Sequence, residues 1–299
     1  MAETSHVAVM ADEVIEYLAP GRDGVYVDCT AGAGGHSARV AQAMGRGHLF
    51  GCDKDPVALE QARARVAAAA APEVGYETWQ GDFAALPEHL RGQGMEQVDG
   101  VIADLGMSSM QLGAPERGFS FAANGPLDMR MDPRQELTAE QVVNQADERT
   151  LADLIFQYGE ERRSRRIARA IVRSRPLLTT RQLADLVAAV TRPMNARPGR
   201  SLHPATRTFQ ALRIYVNQEL TSLSGLLAAL PEWLKPGGRA VIIAFHSLED
   251  RPVKQAFRAG AREGWARLLT PHAVRPQPEE IARNPRSRSA RLRAIERVA

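Results

Sequence analysis

Disulfide chemistry, membrane insertion and secretion have almost nothing to work with in this chain. Cysteine occurs only twice in 299 residues, at Cys29 and Cys52. Both fall at the ends of expected core strands, so two small buried apolar groups in a reducing compartment explain them better than a disulfide or a metal site. No apolar run is long enough to span a bilayer, and Met1 to Tyr17 carries acids where a signal peptide needs positive charge and an apolar stretch. A cytoplasmic location is the expectation. Internal repeats and low-complexity blocks are missing, although the tail from Pro271 is rich in Pro, Arg and Ser. A hydrophobic content of 44% argues against disorder and suffices for one large α/β domain with an insertion, or for two domains. The net charge of +3 is only mildly basic, so polyanion binding has to be argued from local clusters.

What the chain does have is a strand that breaks into glycines. From Val25 to Ser37 it reads Val-Tyr-Val-Asp-Cys-Thr-Ala-Gly-Ala-Gly-Gly-His-Ser. Val25 and Val27 point into a core, Asp28 closes the strand, and Gly32, Gly34 and Gly35 let the backbone turn sharply beside a ligand. A helix is expected from Ser37, with Val40 and Met44 on one face. The dinucleotide spacing G-x-G-x-x-G fails because its third position is Ser37. That failure disfavours a nicotinamide oxidoreductase and leaves room for a ligand without a pyrophosphate, such as S-adenosylmethionine.

The rhythm that follows is strand and helix in alternation. A short helix around Val14 to Leu18 precedes the first strand, and His48 to Asp53 reads as a second. Asp55-Pro56 then opens an alanine-rich helix to about Ala71. Tyr76 to Gln80 and the continuously apolar Val98 to Asp104 are the third and fourth strands. Such alternation predicts an α/β, doubly wound, mostly parallel sheet. From Met107 it stops. Gln111 to Asp132 reads as an ordered loop, and Leu151 to Tyr158, Ile167 to Ile171 and Leu183 to Val190 have helical spacing. The reading is one α/β domain over 1–114 and 206–299 interrupted by a helical insertion over 115–205. After the insertion, one long helix is expected from near Pro204 to Leu223. Leu234-Lys-Pro-Gly-Gly238 then turns into a strand over Ala240 to Phe245.

Asp28, Asp53, Asp82 and Asp104 all fall at or just beyond the C-terminal ends of expected parallel strands, the edge where open α/β sheets bind ligands. Asp28 and Asp82 are equally well explained as cap or turn residues. Asp53, about 20 residues beyond the glycines, and Asp104 are the stronger candidates. His36 stands at a helix start, where capping competes evenly with a cofactor contact.

These residues also carry a family resemblance. Asp28 to Ser37, Asp104-Leu-Gly-Met-Ser-Ser-Met-Gln111, Glu116-Arg-Gly-Phe-Ser-Phe121, Gly125-Pro-Leu-Asp-Met-Arg-Met-Asp132, Tyr158-Gly-Glu-Glu-Arg162 and Ser164-Arg-Arg-Ile167 occur in order. His203 to Arg213, Phe245-His-Ser-Leu-Glu-Asp-Arg251 and Asn284-Pro-Arg-Ser-Arg-Ser-Ala290 continue the series. Together they resemble the bacterial 16S ribosomal RNA (cytosine-N4)-methyltransferase family, RsmH or MraW, from His6 to near the C-terminus. Departures are confined to Ala8, Met10, Gly113 and Asn124.

The resemblance implies a Rossmann-like class I methyltransferase with an inserted helical domain, acting with S-adenosylmethionine on 16S ribosomal RNA in the small ribosomal subunit. It places cofactor contacts at Gly34, Gly35, His36, Asp53, Phe83, Asp104 and Gln111. Asp53 can accept from ribose hydroxyls, Phe83 offers a ring face, and Asp104 attracts the cationic end of the cofactor.

Methylation at cytosine C5 needs an attacking thiolate, and no cysteine follows the fourth strand. The exocyclic N4 needs instead an acceptor for its protons, for which Asp104 or a nearby backbone carbonyl is the candidate, with Ser108 beside it. The chain has Leu105-Gly106-Met107 where amino-methylating DNA enzymes often carry Pro-Pro-aromatic, so Phe119 and Phe121 are the candidates for stacking on the base. Ser108, Ser109 and His246 are further candidates for the base pocket, although turn or strand-end hydrogen bonding explains each at least as well.

Arginines crowd the insertion: Arg162, Arg163, Arg165, Arg166, Arg169, Arg173, Arg175 and Arg181, joined by Arg197, Arg200 and Arg207, and by Arg283, Arg286, Arg288, Arg291 and Arg293 in the tail. Such an excess is what a phosphate-binding surface requires, and Arg165 and Arg166 are its central candidates. The alternative to an enzyme is a cofactor-sensing RNA-binding or assembly factor without turnover.

Overall fold

The computed structural model describes residues 8–191 and 203–298, and the chain divides into two compact units, Met1–Gly106 with Leu220–Ala299, and Met107–Glu219. The first unit opens with α1 (Ala11–Leu18) and alternates β1 (Gly24–Asp28), α2 (Gly35–Met44), β2 (Gly47–Asp53), α3 (Pro56–Ala69), β3 (Val74–Gln80), α4 (Leu86–Arg91) and β4 (Val98–Asp104). The second unit holds α5 (Ser109–Gly113), α6 (Ala139–Gln145), α7 (Glu148–Gly159), α8 (Ser164–Arg173), α9 (Thr180–Thr191) and α10 (Thr206–Asn217). After α11 (Glu219–Trp233) come β5 (Leu234–Ala244), α12 (Ser247–Glu263), β6 (Ala266–Leu268), α13 (Pro278–Arg283) and β7 (Arg291–Arg297).

The seven strands form one sheet in the order β3-β2-β1-β4-β5-β7-β6. The first five are parallel, and β7 runs antiparallel to β5 and β6. Alternate residues serve opposite faces. Val27, Phe50, Val101 and Ala103 pack beneath Leu223, Leu226, Leu230 and Trp233 of α11. Tyr26, Leu49, Ile102 and Ile243 pack with Val14 and Leu18 of α1 and Val40 and Met44 of α2. Burial on both faces explains the near-continuous apolar runs in the sequence. The doubly wound, Rossmann-like class I architecture expected from the sequence is present. Strand order reverses between β1 and β4, and the crevice beyond the carboxyl ends of such strands is where ligands bind.

Local chemistry sets the element ends. Asp55 caps α3 by accepting from Val57 N, with Pro56 at the first helical position. α2 starts at Gly35, two residues earlier than expected, because Gly34 takes the left-handed conformation (φ 78°) that turns the chain into the helix.

Three features go beyond or against the expectations. The long helix from Pro204 is two helices, since Gln218 adopts φ 53° between α10 and α11. α6 was not anticipated, although Thr138 and Gln141 form a reciprocal capping box that marks its start. The basic tail ends in a strand, β7, whose Leu292, Ala294 and Ile295 are fully buried in the sheet.

The helical unit has its own core, built from Leu127, Met129, Leu151, Ile155, Ile167, Ile171, Leu183, Phe209 and Leu212 among others. The stretch from Gln111 to Asp132 is ordered within it. α5 and a single 3-10 turn at Pro115–Arg117 take up its first part. Asn217, 1% exposed, then clamps Met129 and Met131 through their backbone groups.

Candidate active site

At the carboxyl edge of the sheet, the turn after β1 reaches across its neighbours. Ala31 N donates to Cys52 O of β2 and Cys29 N to Ile102 O of β4. Thr30 Oγ1 accepts from Asp104 N at 2.6 Å, and Gly32 N donates to Asp53 Oδ2 at 2.9 Å. The glycines divide their work. A Cβ on Gly34 would lie 2.7 Å from Ala62 Cα of α3, so Gly34 permits close helix packing. A Cβ on Gly32 (φ 50°) would meet nothing nearer than Thr30 O at 3.8 Å, so Gly32 faces open space. Gly35 packs against Ala8.

The acids separate in the same way. Asp28 is fully buried, accepts from Thr30 N and Ser37 Oγ, and is a structural turn residue; burial raises its pKa. Asp82 accepts from Ala84 N and Ser222 Oγ and lies 2.9 Å from Lys54 Nζ, which fastens the end of β3 to α11. Asp53 uses one oxygen on Gly32 N and the other on Asp55 N, yet each oxygen keeps a second lone pair for a further donor. Burial pushes its pKa up to about 6. Phe83, half-buried, follows Asp82 and packs on the sheet core.

Asp104 ends β4 with its backbone pinned by Thr30, and its buried Oδ1 has no hydrogen-bond partner. His36, 5% exposed, brings Nε2 to 3.4 Å from Asp104 Oδ2. Burial disfavours the charged imidazole. The close carboxylate of Asp104, helped by the negative charges of Asp28 and Glu280, outweighs that and raises its pKa. His246 follows β5, the partner strand of β4, and its Nε2 lies 3.1 Å from Glu249 Oε1.

In the helical unit, Ser108 and Gln111 form a capping box on α5: Gln111 Oε1 accepts from Ser108 N, and Ser108 Oγ accepts from Gln111 N. Phe119 is 4% exposed within the core, under the Arg117 guanidinium at 5.9 Å. Its ring has no face to offer a base, so the expected stacking role is corrected for Phe119. Phe121 is half-buried, against His203 (4.6 Å) and Phe209 (4.8 Å).

The arginine excess also needs correction. Arg291 and Arg293 both bind Asp250, and Arg293 is 8% exposed, so these two hold β7 to α12. Arg163 and Arg175 donate to carbonyls of Thr191, and of Val143 and Ala146, while Arg207 donates to Glu160 O. Arg162, in the turn before α8, and Arg165, Arg166 and Arg173 on α8 are exposed, without a side-chain partner among the described residues. Arg197 and Arg200 lie outside the described residues.

Sequence reasoning gave no role to Thr30, which holds Asp104, or to Glu280, which accepts from Met10 N at 2.8 Å across 270 positions. Thr30 stood inside a quoted motif and was findable; Glu280 had no local signal.

With this geometry in place, comparison with known proteins is decisive. The model of the MraW methylase family matches residues 3–298. The chain belongs to the MraW methylase family. Its relatives include proteins named ribosomal RNA small subunit methyltransferase H. The one from Koribacter versatilis is 54% identical, covering 98% of this chain and 94% of that protein. Those from Acidobacterium capsulatum (50%; 99% and 100%) and Synechococcus sp. strain JA-3-3Ab (51%; 98% and 94%) are similar along their length. As an MraW family member, the protein is a methyltransferase with S-adenosylmethionine as its methyl donor.

The sheet edge fits that donor. It offers an unpartnered buried carboxylate oxygen at Asp104 for a cation, spare lone pairs at Asp53 for hydroxyls, and open space beside Gly32. Among the described residues, no group of three or more His, Cys, Asp or Glu side chains is arranged to hold a metal ion, and no helix is long and apolar enough to cross a membrane.

Proposed function

We propose that the protein methylates the exocyclic N4 of a cytidine in 16S ribosomal RNA of the small ribosomal subunit, acting in the cytoplasm. The observation that carries the choice of nitrogen is the pairing of an available carboxylate with unavailable thiols. Asp104 Oδ1 is unpartnered at the ligand-binding edge. Cys29 and Cys52 are at most 1% exposed, and burial raises both thiols well above the ordinary range, so neither supplies the thiolate that C5 chemistry needs. The relatives' name supports ribosomal RNA as substrate.

When bound, S-adenosylmethionine supplies an electrophilic methyl group. Asp53 would hold the ribose hydroxyls, Phe83 would offer its ring to the adenine, and Gly34, Gly35 and His36 would shape the methionine side. Asp104 accepts an N4 proton and so holds the nitrogen lone pair toward the methyl group. Ser108 and Gln111, joined in the α5 capping box, are the candidate cofactor and substrate contacts of the helical unit. On the helical unit, Phe121 contacts the RNA and Arg165 and Arg166 bind phosphates; on the sheet unit, His246, after β5, contacts the base.

The test is nucleoside mass spectrometry of 30S particles incubated with enzyme and S-adenosylmethionine. N4-methylcytidine is the expected product; 5-methylcytidine, or methyl transfer to duplex DNA, overturns the assignment. Asp104→Ala is expected to abolish transfer while retaining RNA binding, as an assembly factor without turnover would not require.

A further inference from the structure

Among the described residues, His36 and Asp104 are two ionisable groups of this site left incompletely bonded without a ligand. His36 is the second residue of α2, where the N-terminal end of a helix disfavours a positive charge. Yet its ring is 5% exposed and lies against Asp104 at the end of β4, and the negative charges of Asp28, at the end of β1, and Glu280, on α13, add to the field that raises its pKa. Neither Nδ1 nor Nε2 makes a well-formed hydrogen bond, and Asp104 Oδ1 has none either. The 3.4 Å approach of Nε2 to Asp104 Oδ2 is therefore mainly a charge contact, which brings a carboxylate and its counter-ion together but leaves them poorly bonded. Asp28 is already engaged by Thr30 N and Ser37 Oγ, so Asp104 is the acid that most needs the proton nearby.

We propose that His36 is the positioning residue of Asp104, an imidazolium that serves as its internal counter-ion until a cationic ligand displaces that role, whereupon the imidazolium loses its proton to solvent. The balance is simple. Before binding, one imidazolium faces Asp104. After binding, the ligand's positive charge faces Asp104, the imidazole is neutral and one proton has left for the buffer. No bond other than N–H is broken. Two like charges cannot share this buried pocket, so cation binding and deprotonation are linked. This rests on the donor-site reading above and adds that the site is proton-coupled.

Calorimetric titration of the full-length protein with S-adenosylmethionine, in phosphate and in Tris at pH 7, measures the proton count from the difference in observed heats. Net release of a substantial fraction of a proton is expected, with affinity rising as pH increases from 6.5 to 7.5. His36→Gln keeps an N–H donor for Asp104 but cannot titrate. It is expected to bind with buffer-independent heat and lose the pH dependence, whereas His36→Ala loses both positioning and linkage. The parent protein alone decides the matter even if a variant fails to fold. Binding with no proton exchange, or equal release from the Gln variant, overturns the proposal. Absence of any S-adenosylmethionine binding instead overturns the donor-site reading.

Discussion

Replacing Asn217 by Ala should loosen the helical unit while sparing the sheet. The carboxamide donates to Met129 O at 2.8 Å and Arg213 O at 2.9 Å, and accepts from Met131 N at 2.7 Å. It thereby secures Met129, a non-glycine residue at φ 61°, inside the core. Truncation orphans one buried N–H and one buried C=O, and each such group costs about 1–3 kcal/mol. A combined loss of about 3 kcal/mol corresponds to roughly a hundredfold rise in the unfolding equilibrium of this unit. All three tryptophans, Trp79, Trp233 and Trp265, lie in the sheet-containing unit and none in Met107–Glu219. Urea titration read by tryptophan fluorescence therefore reports the first unit, while hydrogen exchange at residues 118–135 and along α10 reports the second. Exchange about a hundredfold faster there, with the fluorescence midpoint little changed, is expected. Protection within threefold of the parent would refute the claim that this one side chain orders the loop.

Phe119→Ala should cost about 3–5 kcal/mol by opening the helical core, whereas Phe121→Ala should leave the melting temperature within a few degrees and reduce methylation of 30S particles. Asp250→Asn, leaving Arg291 and Arg293 without a carboxylate, should cost about 3–5 kcal/mol in denaturant titration. Burial opposes ionisation of Asp250, but its two arginines outweigh that and hold its carboxyl below the ordinary value. Its contribution should thus be present above the unfolded carboxylate pKa near 3.8 and be lost as pH falls through the lower folded value, so parent and variant should converge in stability in acid. Arg165→Glu with Arg166→Glu should weaken binding of ribosomal RNA and lower the slope of log affinity against log salt by about one for each lost phosphate contact, with S-adenosylmethionine affinity unchanged.

Much of the site was legible in the sequence because its chemistry is local. A strand that ends at Asp28 and runs into glycines, and acids at 53, 82 and 104 after apolar runs, announce a parallel sheet and its ligand edge. Even the division between structural and ligand-facing acids was half visible, since Asp28 and Asp82 could equally be turn residues and the structure makes them so. The failures have a common cause. Phe119 and Phe121 are two residues apart in one motif, and nothing local tells which ring is buried. Arg291 and Arg293 look like Arg286 and Arg288 until β7 pairs with β5 and brings them to Asp250. The helix from Pro204 reads as continuous because its apolar spacing hardly falters, yet Asn217 is spent on a loop some 88 positions away and the chain turns at Gln218.

By itself, then, the sequence determined the fold class, the family and the strand-end acids, because periodicity, turn chemistry and long ordered motifs act over a few residues at a time. Tertiary structure alone decided which charges are neutralised, which rings are buried, and that His36 faces Asp104. Those outcomes depend on distances between residues up to 270 positions apart, and a carboxylate's availability is set by what else reaches its oxygens.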